Sequence, residues 1–262
     1  MRAWRTVIDL TKVRAWLPQA SRTLLPFARG SRFADENLQQ SDSAAVQLEP
    51  QQQLPNPLRS YFDDHTEGPG IWKWTHYFDI YHRHFQKFIG RDVWVMEIGI
   101  YSGGSLGMWR EYFGDRCQVY GVDIEPACLT YESDRIHVLI GDQSDRQFWA
   151  RTRTAVPRID VLIDDGLHHP EHQIITLEEM LPHLSPGGVY LCEDILGAPN
   201  YFTSYVAGLS SRFYGGPFGV SATIESIHLY PMVTVIEKRS HRLRSLHEEK
   251  HGTEWQPFPL GI

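Results

Sequence analysis

The sequence predicts a doubly wound α/β fold, with a mostly parallel sheet of about seven strands and an antiparallel hairpin at one edge. Short apolar runs typical of buried strands alternate with segments in which apolar residues recur every three or four positions, as on one face of a helix. The last two strand-like runs follow each other closely, as the strands of a hairpin do. Parallel strands joined by right-handed helical crossovers account for this order.

The elements follow one another at short intervals along the chain. The predicted strands are residues 93–98, 118–122, 136–140, 159–163, 189–192, 222–228 and 232–237. The predicted helices are residues 72–89, 105–113, 145–152, 172–184 and 201–209. The fourth strand is almost wholly apolar, which is expected of a strand covered on both faces. Gly90 ends the first helix, and Pro186 begins the turn that stops the fourth.

The chain is predicted to consist of an N-terminal extension (residues 1–54), a catalytic domain (55–240) and a C-terminal tail (241–262). Residues 1–34 contain seven basic side chains and one acidic side chain, and a polar stretch follows. An Arg-rich, acid-poor start is typical of an organelle transit peptide or a membrane-surface helix. We favour the simpler interpretation, an extension outside the catalytic core.

Composition limits the function classes. The 25 basic and 32 acidic residues give a net charge of −7, which is a poor match for a nucleic-acid binder. No apolar run approaches the roughly 20 residues of a transmembrane helix. The three cysteines form no CxxC pair, which favours a reducing compartment. We therefore expect a cytoplasmic protein without a nucleic-acid partner or a transmembrane segment.

A glycine-rich turn follows the first predicted strand. The run from Glu97 to Gly103 has the spacing E-x-G-x-x-x-G, which differs from the G-x-G-x-x-G pattern of dinucleotide sites. Glycines here let the backbone approach a ligand closely, although any strand-to-helix turn can contain them. The carboxylate of Glu97 suits an ammonium group better than a phosphate.

Polar side chains also follow the second and third predicted strands. Asp123 lies 20 residues beyond Gly103, where a carboxylate can accept both hydroxyls of an adenosine ribose or can cap a turn. Asp142 and Gln143 follow the third strand, where they can lie beside an adenine or stabilise a turn. Ligands of open α/β sheets bind outside the carboxyl ends of the strands. Because each of the first three predicted strands is followed by residues that can bind a ligand, we expect these residues to form one shared site.

Four carboxylates follow the fourth and fifth predicted strands. They are Asp164, Asp165, Glu193 and Asp194. Adjacent strand ends lie about 5 Å apart, so these side chains converge, although alternation along a strand keeps all four from pointing inward. Oxygen ligands favour Mg²⁺, Mn²⁺ or Ca²⁺ over zinc. The alternative is a set of helix caps and solvated loop acids.

Histidines follow the first acidic pair at positions 168, 169 and 172. A hydroxyl group is a poor nucleophile near neutral pH, and a metal together with a general base can activate it. His168 and His169 are both candidates for the base. Either can also be a metal ligand or an ordinary loop residue.

These features together resemble a class I S-adenosylmethionine-dependent methyltransferase, and within that class the metal-dependent macrolide and sugar O-methyltransferases of the mycinamicin type. The resemblance covers about residues 70–237 and implies a Rossmann-like sheet. It rests on residues 73–77, the run from Glu97 to Gly103, Asp123, residues 141–143, residues 164–168 and the Glu193-Asp194 pair.

The resemblance implies a role for each candidate residue. The methionine end of S-adenosylmethionine would contact Thr75, Glu97, Gly99 and Gly103. The rest of this cofactor would lie near Asp123 (ribose), Asp142 and Gln143 (adenine) and Asp164. The ligands of Mg²⁺, or of another hard divalent cation, would be Asp165, Glu193 and Asp194. His168 matches the base of the family, although Gly166-Leu167 departs from the residues that often precede it.

The expected function is methylation of a hydroxyl on a sugar or glycosylated small molecule. Three alternatives stay open: an NAD-type oxidoreductase, a catalytically inactive binding protein with the same fold, and a non-haem iron oxygenase. The first lacks its glycine pattern after the first strand, and the last is disfavoured by the oxygen-rich ligand set. A homo-oligomer would suit the family.

Overall fold

The structure is a computed structural model that describes residues 24–36, 55–213, 219–249 and 251–252. The chain divides into two units, Met1–Gln53 and Leu54–Ile262. In the first unit, residues 24–36 are helical (α1). The rest of the predicted N-terminal extension, and the tail beyond residue 252, lie outside the described residues. The domain boundaries therefore stay a prediction.

The second unit contains a sheet of seven strands. They are β1 (Trp94–Ile98), β2 (Gln118–Asp123), β3 (Ile136–Ile140), β4 (Val161–Asp164), β5 (Val189–Cys192), β6 (Ile224–Tyr230) and β7 (Val233–Lys238). Their order is β3-β2-β1-β4-β5-β7-β6. The first five are parallel, and β7 is antiparallel to both of its neighbours. The predicted doubly wound sheet and its antiparallel edge are confirmed.

The helices of this unit flank the sheet. They are α2 (Pro57–Asp64), α3 (Tyr77–Phe85), α4 (Gly104–Phe113), α5 (Arg146–Ala155), α6 (Pro170–Met180) and α7 (Tyr201–Ser210). Short 3₁₀ turns cover Gln86–Phe88, Pro126–Tyr131 and Gly219–Ala222. Side chains of Asn56, Asp145 and Asn200 accept hydrogen bonds from the first-turn amides of α2, α5 and α7, which satisfies donors that a helix leaves free.

Two predicted helix starts are wrong. The pattern predicts a helix from residue 72, but α3 begins at Tyr77. The preceding residues are not helical, and they carry the Lys73 ammonium to buried carboxylates of the sheet. The pattern also places a helix start at His172, whereas α6 begins at Pro170. Proline is favoured in the first turn because its missing N–H would have no partner there.

Side-chain alternation along the strands divides the core into two layers. On one face, Val95 and Ile163 belong to the apolar layer that contains the aromatic side chains of α3 and α4. On the other face, Met96 and Leu162 pack in the layer of α5, α6 and α7. The sheet is therefore covered on both faces, and a ligand can approach it only at the ends of its strands.

The strand order places a switch point between β1 and β4. The chain passes from β1 to β2 on one side and returns to β4 on the other, so the connections diverge at the carboxyl ends of β1 and β4. Ligands of open α/β sheets bind in the crevice at such a point. Within the described residues, no helix is long and apolar enough to cross a membrane.

Candidate active site

A cleft of about 790 Å³ opens at the carboxyl ends of the five parallel strands. Eight predicted site residues line it: Gly99, Asp123, Asp142, Gln143, Asp165, His168, Glu193 and Asp194. They come from the ends of all five parallel strands. The fold therefore brings the predicted donor-side and metal-side residues to one cavity.

Four other predicted site residues do not line the cleft. Thr75 is exposed, whereas Glu97 and Asp164 are buried inside the sheet. Gly103 lies at the start of α4, where an added Cβ would come within 2.6 Å of the Tyr131 ring. Glu97, Gly103 and Asp164 are therefore buried away from the cleft lining, and Thr75 lies on the surface outside it.

Gly99 allows the β1 turn to approach the end of β4. Its φ is +89°, and a Cβ there would lie 2.1 Å from the carbonyl oxygen of Asp165. Any larger residue would therefore combine a left-handed backbone with a collision against the metal-side turn. The first glycine of the motif is required by this contact, whether or not a ligand is bound.

Asp123 holds the glycine turn from the end of β2. Its carboxylate accepts hydrogen bonds from the amides of Ile100 (2.8 Å) and Tyr101 (3.2 Å), and its other oxygen accepts one from Glu125 (2.9 Å). The capping bonds fill both lone pairs of one oxygen and one of the other, which leaves one acceptor position on the side chain that lines the cleft. Asp123 therefore caps the turn and can still accept one hydrogen bond from a ligand.

The two residues that follow β3, Asp142 and Gln143, have different surroundings. Asp142 accepts hydrogen bonds from the backbone and hydroxyl of Ser144, which lower the pKa of its carboxyl. The amide of Gln143 instead donates to Asp164 (2.6 Å) and Thr176 (3.0 Å). Burial raises the pKa of Asp164 to about 7, against the hydrogen bonds from Tyr190 and Gln143.

Lys73 lies among the carboxylates of the site, a contact that the sequence analysis missed. Its ammonium donates to Asp165 and lies 3.2 Å from Glu193 and 3.3 Å from Glu97. The Lys73 side chain is only 4% exposed. A buried cluster of like charges needs a counter-ion, and Lys73 supplies one from the chain itself.

Two tyrosines of α3 support the same cluster. The hydroxyl of Tyr77 donates to Asp194 (2.6 Å), and that of Tyr81 donates to Glu193 (2.6 Å). Tyr77 and Tyr81 lie four residues apart on α3, so the sequence places them on one face of this helix. The Tyr81 ring is also part of the core, because a buried ring can keep its hydroxyl bonded.

The acids of the cluster differ in environment. Burial raises the pKa of Glu193 well above its usual value, and the charge of Asp165 adds to this. Burial also raises the pKa of Glu97, which accepts a hydrogen bond from Ser105 at 2.6 Å. Asp165 and Asp194 are more accessible, and they face the cleft.

His168 faces these two accessible acids. Its Nε2 lies 3.5 Å from a carboxylate oxygen of Asp194 and 4.0 Å from one of Asp165. The potential ligand atoms of these three residues lie within 4.8 Å of one another, a group that does not include the predicted ligand Glu193. The buried Nδ1 of His168 has no hydrogen-bond partner among the described residues.

The backbone at this point departs from ordinary geometry. His168 has a φ of +60° and Asp194 a φ of +51°. Residues other than glycine rarely adopt this region, and such strain concentrates at functional sites. His169, the competing base candidate, directly precedes α6 and is not part of the cleft lining. The centre of its ring lies 4.9 Å from that of His172.

Apolar and aromatic side chains surround the mouth of the cleft. Trp72 is 85% exposed and Trp74 is 55% exposed, and both line the cavity. Leu167 and Leu196 are further exposed apolar residues of its lining. Tyr201 is exposed as well but is not part of the lining.

The chain is similar to known methyltransferases. Residues 96–195 match the model of a methyltransferase domain family. The 8-demethyl-8-alpha-L-rhamnosyl tetracenomycin-C 2'-O-methyltransferase of Streptomyces olivaceus is 33% identical over 202 residues, which cover 66% of this chain and 53% of the relative. The mycinamicin VI 2''-O-methyltransferase of Micromonospora griseorubida is 38% identical over 139 residues, which cover 50% of this chain and 33% of the relative.

A solved structure shares the fold of the second unit. The MycE methyltransferase of the mycinamycin pathway, in complex with Mg, SAH and mycinamycin VI, has a TM-score of 0.59 and 29% identity. The match covers 71% of this chain and 55% of MycE. The chain thus spans about half, or less, of the relatives it matches. The predicted resemblance is confirmed: residues 96–195 match a methyltransferase domain family, and the chain is similar to class I methyltransferases of the mycinamicin type.

Proposed function

We propose that the chain catalyses O-methylation, with S-adenosylmethionine as donor and a hydroxyl of a sugar or glycosylated small molecule as acceptor. One observation carries this proposal. Asp123 at the β2 end and the group of Asp165, His168 and Asp194 face the same cleft. A donor placed along the first three strand ends would therefore present its reactive end to the metal-side acids.

The donor side is assigned to residues that line the cleft. Gly99 and Asp123 would contact the methionine end and the ribose, and Asp142 with Gln143 would border the adenine. The buried residues Gly103, Glu97 and Asp164 would not contact the donor and would instead position the residues that do. Glu97, for example, accepts hydrogen bonds from Ser105 and Lys73, so it would orient α4 and the Lys73 segment. Thr75 retains its assigned role only if the segment around it moves toward the cleft.

The metal side has the chemistry of a hard divalent cation. Asp165 and Asp194 are accessible carboxylates that share a small volume with His168, and Glu193 lies behind them on the Lys73 side. Oxygen-rich sets favour Mg²⁺ over zinc. We propose Asp165, Glu193 and Asp194 as its ligands. When bound, such an ion stabilises the negative charge that develops on an acceptor oxygen.

His168 is proposed as the general base. Its imidazole faces the same two acids and would take the proton of the acceptor hydroxyl as the oxygen attacks the sulfonium methyl in line. The sulfur–methyl bond breaks as the oxygen–methyl bond forms, and the leaving thioether is neutral, so no acid is needed. Positioning of the two reactants would supply much of the acceleration.

The acceptor class follows from the relatives and from the mouth of the cleft. The relatives methylate an oxygen of a rhamnosyl tetracenomycin and of mycinamicin VI. Trp72 and Trp74 offer flat apolar surfaces beside the acids. Aromatic faces suit sugar rings and apolar aglycones. We therefore propose a sugar hydroxyl of an apolar glycoside as the acceptor.

Calorimetry tests the binding part of this proposal. We expect the purified chain to bind S-adenosylhomocysteine in one-to-one ratio, and to bind NAD⁺ at least 100-fold more weakly. Asp123→Asn should weaken this binding at least tenfold, whereas Asp115→Asn, at an acid outside the cleft lining, should leave it unchanged. Tighter binding of NAD⁺ than of S-adenosylhomocysteine would contradict the proposal.

Methyl transfer tests the catalytic part. A panel of glycosides is incubated with methyl-labelled S-adenosylmethionine and Mg²⁺, and the products are analysed by mass spectrometry. We expect a single added methyl on a sugar oxygen. Methylation of nitrogen or carbon instead would contradict the assignment of the acceptor group.

A further inference from the structure

A second group of potential metal ligands lies at the end of the sheet opposite to the cleft. It consists of His84 on α3, His228 on β6 and Glu237 on β7, each of which offers one ligand atom within 4.8 Å of the others. Glu237 pairs with Val189, the first residue of β5, whereas the cleft opens beyond the last residue of that strand. The group is therefore separate from the proposed methyl-transfer site.

The two imidazoles of this group are held by hydroxyls. Nε2 of His84 lies 2.9 Å from the hydroxyl of Tyr230, and Nε2 of His228 lies 2.8 Å from that of Ser226. The other nitrogen of His84, Nδ1, lies 2.6 Å from a carboxylate oxygen of Glu237. Metal-ligating histidines usually have one ring nitrogen fixed by an oxygen partner in this way, so that the other is aimed at the ion.

The site is also partly closed to solvent. His84 is 3% exposed, and its ring meets that of His228 at 4.7 Å between centroids. Lys87 donates to the second oxygen of Glu237 at 2.7 Å, which leaves the first oxygen toward His84. The Arg83 guanidinium lies 5.7 Å from the centre of the Tyr230 ring. A metal ion bound here would replace the 2.6 Å contact between His84 Nδ1 and Glu237 with a bond from each of these atoms to the ion.

We propose that His84, His228 and Glu237 bind Zn²⁺ or a similar borderline divalent cation, which cross-links α3 to the β6–β7 hairpin. Two imidazoles and one carboxylate suit zinc, with water in the fourth position, whereas Mg²⁺ prefers oxygen ligands. Each ligand comes from a different element, so binding would order their packing. Helix α3 carries Tyr77 and Tyr81, so the ion would also steady the donors of the cleft.

Calorimetric titration of the metal-free chain with Zn²⁺, in excess Mg²⁺ to occupy the oxygen-rich site, tests the proposal. We expect one saturable Zn²⁺ site whose affinity falls at least tenfold in His228→Gln and in Glu237→Gln. His82→Gln removes a histidine from the same helix outside this group, and it should leave the affinity within twofold. Co²⁺ in place of Zn²⁺ should give the visible absorption of a tetrahedral site.

Stability gives a second readout. Zn²⁺ should raise the melting temperature of the wild type and of His82→Gln, but not that of His228→Gln. His228 is only half-buried, so we expect its replacement by glutamine to leave the core intact. The proposal is overturned if the wild type shows no saturable Zn²⁺ binding. It is also overturned if His228→Gln and Glu237→Gln both bind Zn²⁺ as tightly as the wild type.

Discussion

Lys73 supplies the positive charge that the buried acids of the site require. Its ammonium is shared by Glu97, Asp165 and Glu193, and its side chain is almost fully buried. A buried ion pair that loses one partner leaves an uncompensated charge, which costs far more than the loss of a surface pair. Lys73 is therefore a positioning residue of the carboxylate cluster.

Replacement of Lys73 should reveal this difference. Lys73→Met is expected to lower the free energy of unfolding by about 3–5 kcal/mol, because Glu97 and Glu193 stay buried without their cation. Lys87→Met removes a 38% exposed lysine that pairs with Glu237, and it should cost at most about 1 kcal/mol. Urea unfolding in metal-free buffer measures the free energy of unfolding of both variants. Equal decreases in the two variants would contradict the role assigned to Lys73.

His168 and His169 are adjacent in sequence but differ in surroundings. His168 lies beside the accessible acids, whereas His169 directly precedes α6 and does not line the cleft. His168→Ala is expected to lower kcat by about 10²–10⁴-fold, with the affinity for S-adenosylhomocysteine unchanged, because a base acts in the transition state. His169→Ala is the matched control and should stay near wild-type activity. The opposite pattern in a methyl-transfer assay would transfer the base role to His169.

At the scale of elements, the turn after β1 packs closely against the turn after β4. Gly99 and Gly114 have nearly the same φ, +89° and +92°, but only Gly99 has a neighbour where a Cβ would stand. Alanine at Gly114 meets backbone strain alone, which costs about 1–3 kcal/mol. Alanine at Gly99 also collides with the Asp165 carbonyl, which adds about 1–3 kcal/mol.

Denaturant unfolding of Gly99→Ala and Gly114→Ala separates these two effects. We expect Gly99→Ala to be the less stable variant and to lose affinity for S-adenosylhomocysteine, because the turns after β1 and β4 must separate. Gly114→Ala should bind as the wild type does. Equal stability and equal binding of the two variants would show that the close approach is unimportant.

The sequence predicted the elements of this region well because strand ends carry local signals. The apolar runs, the glycines and the acids after β1, β2, β4 and β5 could be found without any long-range information. The contacts of Lys73 could not, since they join it to Glu97, Asp165 and Glu193 across 24, 92 and 120 residues. The burial of Glu97 and Asp164 was missed for the same reason, because periodicity does not show which acid of a pair faces inward.

At the scale of the whole molecule, an ionic network ties the antiparallel edge of the sheet to α3. Glu237 accepts hydrogen bonds from His84 (2.6 Å) and Lys87 (2.7 Å). These bonds, that of His84 first, hold the pKa of Glu237 at about 2, below its usual 4.5. A carboxyl whose pKa is lower in the folded state than in the unfolded state stabilises the fold when the pH is above the unfolded-state pKa. This contribution is lost as the pH falls through the folded-state pKa.

Glu237→Gln should therefore destabilise the protein in a pH-dependent way. In metal-free buffer near pH 7 we expect a loss of about 1–3 kcal/mol. The difference from the wild type should shrink as the pH falls below 4.5 toward 2, where Glu237 itself becomes protonated. Unfolding free energies measured across this range provide the test, and a difference that does not vary with pH would contradict the role of the network.

The central claim is that the acids beside the cleft serve metal-assisted methyl transfer. The most direct measurement is the rate of transfer from labelled S-adenosylmethionine to a glycoside acceptor after exhaustive EDTA treatment, followed by addition of Mg²⁺. We expect the rate to be lost with EDTA and restored by Mg²⁺, while Asp165→Asn stays inactive in both conditions but still binds S-adenosylhomocysteine. Full-speed transfer in EDTA would contradict the claim.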